Sequence, residues 1–137
     1  NEMTDIQQKL FKKNIEKLQD AGIEVSLFID PNLESVKKSK ELRATSVELH
    51  TGPYGISYES NNYQTEFRKL VDAANLANDL SLKVNAGHGL NYKNLQQILK
   101  LPHLNELNIG HAIIAESVFI GLDDAIKKIK RIIDDSD

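Results

Sequence analysis

Four short apolar runs, each followed by a stretch of helical periodicity, recur along this sequence and leave few folds open to it. They are IEVSLFID (Ile23 to Asp30), TSVELH (Thr45 to His50), LKVNAG (Leu82 to Gly87) and ELNIG (Glu106 to Gly110). Ahead of the first, Thr4 and Gln7 read as a capping box, and Ile6, Leu10, Phe11, Ile15 and Leu18 follow at helical spacing until Gly22. Pro31 suits the first turn of a helix running to about Arg43. Later helical segments carry Phe67, Leu70, Val71 and Ala74, then Leu95, Ile98 and Leu99. The last begins after Gly121, with Asp123 and Asp124 in its first turn and basic residues toward its end, as the helix dipole favours. Helices between all the strands predict parallel pairing, because a parallel neighbour needs a crossover.

Such units can form an open doubly wound sheet or part of a closed barrel, and side-chain alternation separates the two. An open sheet with helices on both faces needs both alternating sets apolar. Here Val25, Leu27, Ile29, Val47, Leu49, Leu82, Val84, Ala86, Leu107 and Ile109 make one apolar set. The opposite set is mostly polar: Ser26, Phe28, Asp30, Ser46, Glu48, His50, Lys83, Asn85, Gly87, Glu106, Asn108 and Gly110. That face fits a barrel lumen better than helix-covered core. The alternative, a solvated face of an antiparallel sheet, sits badly with the intervening helices. Residues 51–62 (TGPYGISYESNN) form the only long irregular stretch, and at a strand's C-terminal end they are expected to be a loop and a lid candidate.

Composition narrows the chemistry. The formal charge is -3 with acids and bases interleaved, which gives no basic face for nucleic acid and no polybasic membrane anchor. No apolar run approaches the ~20 residues of a membrane span and no secretory signal is visible, so a cytoplasmic location is expected. Cysteine is absent, which removes disulfides, thiol nucleophiles and zinc-thiolate sites. The sequence opens on Asn1, Glu2 and Met3 and reads as a trimmed chain.

In β/α barrels functional groups stand at the C-terminal ends of the strands, and phosphate often binds amides at a helix start near the last two strands. VELHTG puts Glu48 near the top of its strand, with Thr51 and Gly52 beyond it. KVNAGHGL puts His88 between Gly87 and Gly89, and NIGHAII puts Gly110 and His111 where a short helix starts. Glycines admit close approach of an anion to the backbone, and an imidazole exchanges protons near neutral pH. The pattern therefore predicts an acid/base site beside a phosphate cradle. Two bland readings stand beside it: Glu48 simply pairs with Lys83 inside the lumen, and His111 is only a helix cap. His50 and Lys83 read as structural, and His103 after Pro102 as a surface residue.

Taken together, VSLFIDP (Val25 to Pro31), VELHTG with Tyr54, LKVNAGHGL with Tyr92 and Asn94, and ELNIGHAII (Glu106 to Ile114) resemble the pyridoxine 5'-phosphate synthase family. The resemblance implies that residues 1–137 are the C-terminal half of one TIM-barrel domain, from the helix before strand five to the helix after strand eight. It implies condensation of 3-amino-2-oxopropyl phosphate with 1-deoxy-D-xylulose 5-phosphate to pyridoxine 5'-phosphate, phosphate and water. By motif, His88 corresponds to a proton-donating histidine and Glu48 to a glutamate that stabilises the transition state. Gly89, Gly110 and His111 correspond to binders of the aminoketone phosphate. No cofactor and no metal are implied, and a homo-oligomer is.

The family's first four strands carry another catalytic histidine, a catalytic glutamate and further ligands, and these are missing here. This chain alone is expected to be inactive and to pack against an N-terminal half. The competing functions are another phosphate-binding barrel, such as an aldolase or isomerase, and a non-catalytic half-barrel module. A Schiff-base aldolase needs a lysine at a strand end, and Lys83 lies low on its strand.

Overall fold

The structure, a computed structural model, describes residues 4–135. Helix α1 (Asp5–Asp20) opens with the expected capping box: the Gln7 amide donates to Thr4 Oγ1 at 3.3 Å, and the Thr4 amide donates to Gln7 Oε1 at 2.8 Å. Gly22 then turns left-handed at φ +78°, and the Ile23 amide returns to the Leu18 carbonyl.

Strand β1 (Ser26–Ile29) leads to α2 (Leu33–Glu41). Pro31 is not in this helix, contrary to expectation. Asn32, in extended backbone, is the cap, and its Oδ1 accepts from the Ser35 amide at 2.8 Å. This cap satisfies one of the helix-start amides. The helix stops short of Arg43, which sits at φ +63°.

Strand β2 (Ser46–His50) is followed by α3 (Gly52–Glu59) and α4 (Gln64–Asp79), then β3 (Lys83–Gly87), α5 (Leu95–Ile98), β4 (Leu104–Asn108), α6 (His111–Ile120) and α7 (Leu122–Asp134). The expectation of a loop through residues 51–62 is overturned by α3. Pro53 fits a helix's first turn, and Tyr54 is only 1% exposed. Its ring stands 5.7 to 6.0 Å from those of Tyr58, Tyr63 and Phe67, so buried aromatic surface outweighs the glycines and polar residues around it.

The strands are all parallel and lie in sequential order β1-β2-β3-β4. Register aligns Phe28 with Glu48, Glu48 with Asn85, and Asn85 with Glu106, so these side chains share one face. On the other face Val47, Leu49, Val84 and Ala86 are buried against α2, α4 and α5 through Val36, Leu70, Ala73, Ala74, Ala77, Leu95 and Ile98. The antiparallel alternative is thereby excluded. The strand β4 runs two residues earlier than the expected Glu106 to Gly110. A register shift lets Asn105 bulge, donating to Asn85 Oδ1 at 3.2 Å, and Gly110 leaves the strand to precede α6. Among the described residues neither β1 nor β4 has a further neighbour, so the barrel is not closed. No helix among them is long and apolar enough to cross a membrane.

Candidate active site

Strand β2 carries Glu48 at its midpoint, and Glu48 Oε2 accepts a 2.7 Å hydrogen bond from Asn108 Nδ2 on β4. The carboxylate lies over Gly87 of β3: a Cβ there would meet Glu48 Oε1 at 2.2 Å and Asn108 Cβ at 2.9 Å. Only glycine leaves room for it. The suggested Glu48 to Lys83 pair is not formed, because Lys83 opens β3 at the far end and its ammonium lies 2.8 Å from both oxygens of Glu24. Among the described residues Glu48 has a neutral amide for a partner and no cation.

His88 follows β3 directly and adopts φ +77°, with Gly89 at φ +74°. The left-handed region is open to glycine and less favourable for a residue with a Cβ. Thr51, fully buried, places its hydroxyl 2.7 Å from the Gly87 carbonyl and 2.6 Å from that of His88. Asn94, also buried, donates through Nδ2 to the Gly89 carbonyl at 3.0 Å and accepts the Asn91 amide at 2.8 Å. The Tyr54 hydroxyl donates to the Asn94 carbonyl at 2.7 Å, which ties α3 into the same turn, and burial raises its pKa well above the ordinary value of 10.0. The Tyr92 hydroxyl anchors the turn to α7 by donating to the Ala125 carbonyl.

Beside the His88 ring stands that of His50, edge-on at 5.0 Å, and His50 Nδ1 lies 3.3 Å from Asp30 Oδ1. Phe28 adds a third ring, 5.0 Å from His50 and 6.4 Å from His88. Gly52 fits the corner between the imidazoles, where a Cβ would come within 2.5 Å of His50 Nε2 and 3.0 Å of His88 Cδ2.

Gly110 caps α6 and His111 is its first residue, as the sequence suggests. Gly110, not His111, is the N-cap residue of this helix. The amides of this first turn are free of intrahelical acceptors, as in any helix. A cleft of about 870 Å³ at this end of the sheet is lined by Glu48, His88, Gly89, Gly110 and His111, together with Phe28 and Asn108. The structure thus brings all five residues selected from the sequence to one cavity. A carboxylate, an imidazole and a helix start together can move protons beside a bound anion. Sequence reasoning misses Asn108, Thr51 and Asn94 as parts of the site. Asn108 is the one with a signal, since it belongs to the polar strand set one residue pair above Glu106. No cluster of three metal-ligating side chains occurs among the described residues.

Four parallel strands alternating with helices, and a cleft at the strand ends, define an α/β chain consistent with a partial β/α barrel. Its family follows from sequence comparison. The chain belongs to the family of the pyridoxal phosphate biosynthesis protein PdxJ, whose model matches residues 3–135. It is 47% identical over 122 residues to the pyridoxine 5'-phosphate synthase of Prochlorococcus marinus, covering 89% of this chain and 51% of that protein. The synthase of Opitutus terrae is 47% identical over 85% of this chain and 47% of its own length, and that of Magnetococcus marinus is 48% identical over 86% and 49%. The chain spans about half the length of the curated relatives it matches.

Proposed function

We propose that this chain is the C-terminal half of a pyridoxine 5'-phosphate synthase, which joins 3-amino-2-oxopropyl phosphate and 1-deoxy-D-xylulose 5-phosphate through imine formation, phosphate elimination and ring closure. The observation that carries the reading is the convergence of Glu48, His88 and the Gly110–His111 helix start on one cleft. His88, exposed and lining the cleft, donates a proton to the departing oxygen. Glu48, held without a cation, stabilises positive charge that develops on the imine nitrogen. Gly89, Gly110 and His111 receive the aminoketone phosphate on main-chain amides. Lys83 is bound to Glu24 at the opposite end of β3, which disfavours a Schiff-base aldolase.

The chain acts with an N-terminal half, in a homo-oligomer and in the cytoplasm. Unpaired strand groups at β1 and β4 are left to water unless another strand covers them. Apolar surface accompanies the β4 edge: α6 has no buried residue, and Val118 and Phe119 are 78% and 85% exposed. The test is to combine this chain with the complementary half of a relative and measure formation of pyridoxine 5'-phosphate. Activity from the pair and none from this chain alone is the expected result. A stable, cooperatively unfolding monomer that gains nothing from the second half would discard it.

A further inference from the structure

We infer that Thr51 is a positioning residue for His88, acting through the backbone; the inference rests on the proposed role of His88 as proton donor. Thr51 is fully buried and is not among the residues lining the main cleft. Its amide donates to the Gly87 carbonyl at 2.9 Å, and its hydroxyl lies 2.7 Å from that carbonyl and 2.6 Å from the carbonyl of His88. One hydroxyl proton is therefore shared across two consecutive carbonyls. This is the stretch of backbone in which His88 turns to φ +77° and Gly89 to φ +74°. Such a φ is uncommon for a residue that carries a Cβ. Trans peptide planarity adds a second effect: with the His88 carbonyl drawn toward Thr51, the Gly89 N–H points the opposite way. Thr51 thus sets, through one hydroxyl, both the direction of the imidazole and the direction of the adjoining amide. Asn94 holds the next carbonyl, that of Gly89, from the other side of the turn at 3.0 Å.

Removing the hydroxyl and removing the methyl group separate positioning from packing. Thr51→Val keeps the shape and loses the donor: the Gly87 carbonyl retains the Thr51 amide, while the His88 carbonyl is left against a methyl group. Thr51→Ser keeps the donor and loses the methyl. In the barrel assembled from this chain and the complementary half, the Val variant is expected to lose about tenfold or more in kcat, with little change in KM, because the acid is displaced. The Ser variant is expected to restore turnover. The one-bond Cα–Hα coupling of His88, which distinguishes the sign of φ, is expected to change in the Val variant and persist in the Ser variant. If the assembled wild-type barrel forms no product, the functional reading fails, and the coupling still decides the role of Thr51. An unchanged His88 coupling in a folded Val variant overturns the inference, and so does a Ser variant that folds but loses the coupling. Should the Val variant not fold, the Ser variant decides alone: a retained coupling supports the inference and a lost one overturns it.

Discussion

Glu48 and Asn108 meet across the whole width of β3, at 2.7 Å, because the strand between them presents Gly87 at the crossing point. Three strands are thus tied together by one carboxylate, one amide and one missing side chain. Gly87→Ala tests this arrangement. A Cβ at 2.2 Å from the carboxylate oxygen forces Glu48 aside, with an expected loss of roughly 1–3 kcal/mol of stability on the scale of overpacked sites. Turnover of the assembled enzyme should fall more than thermal stability implies. Chemical denaturation and steady-state kinetics on the same preparation measure both.

Substitution of the two ionisable groups separates chemistry from binding. His88→Asn in the assembled enzyme should leave phosphate-ester affinity near normal and lower kcat by ~100-fold or more, the usual scale for a lost acid/base group. Glu48→Gln should likewise depress kcat more than it raises KM. Near-normal turnover of both variants would return these residues to a structural role.

The phosphate site is tested at Gly110, where φ is -123° and a Cβ would meet nothing within 4 Å. The fold therefore has room for a Cβ there, and the bulk of Gly110→Leu stands at the start of α6 where the anion is expected. A loss of at least tenfold in phosphate-ester affinity, about 1.4 kcal/mol, is expected with unchanged thermal unfolding. Calorimetric titration with the ester reads it directly, and unchanged affinity would discard the site.

Tyr54 gives a pH dependence of stability whose sign is fixed by its burial. Its folded pKa is raised above the ordinary 10.0, chiefly by burial and then by Tyr58 and Tyr63, so the folded chain keeps the phenol proton where the unfolded chain releases it. The stabilisation is complete below pH 10 and is lost as pH rises from there toward the folded value. Tyr54→Phe should cost about 1 kcal/mol at neutral pH, through the lost hydrogen bond to Asn94, and flatten the alkaline decline. Denaturant midpoints measured across that range check both effects.

The alternation of Val47, Glu48, Leu49 and His50 is enough to assign each strand a core face and a functional face, since strand geometry has a fixed period of two. Glu48 is legible for the same reason, whereas His88, Gly89, Gly110 and His111 are legible from the glycines beside the two histidines just past the strand ends and from the family resemblance. What stays hidden depends on contacts between distant segments. Residues 52–59 read as loop because Gly52, Pro53 and Gly55 weaken a helix locally, while the ring cluster that stabilises α3 is assembled from Tyr54, Tyr58, Tyr63 and Phe67 only after folding. Thr51 looks like a loop opener, since nothing local shows that a hydroxyl will meet the carbonyls of residues 87 and 88. The start of β4 is misplaced because a bulge leaves no mark on the apolar pattern.

The seating of α3 has a kinetic consequence. A flexible flap over β2 would make substrate entry wait on an opening step; a helix that starts at Gly52, with Tyr54 and Gly55 buried beneath it, makes that rim part of the folded frame. Gly55 leaves so little clearance that a Cβ would come within 2.8 Å of the Gly89 carbonyl, so the rim packs directly against the histidine turn. On the proposed function, passage over this side is governed by diffusion and charge, and keeping water from the reacting centre falls to the strands and loops of the complementary half.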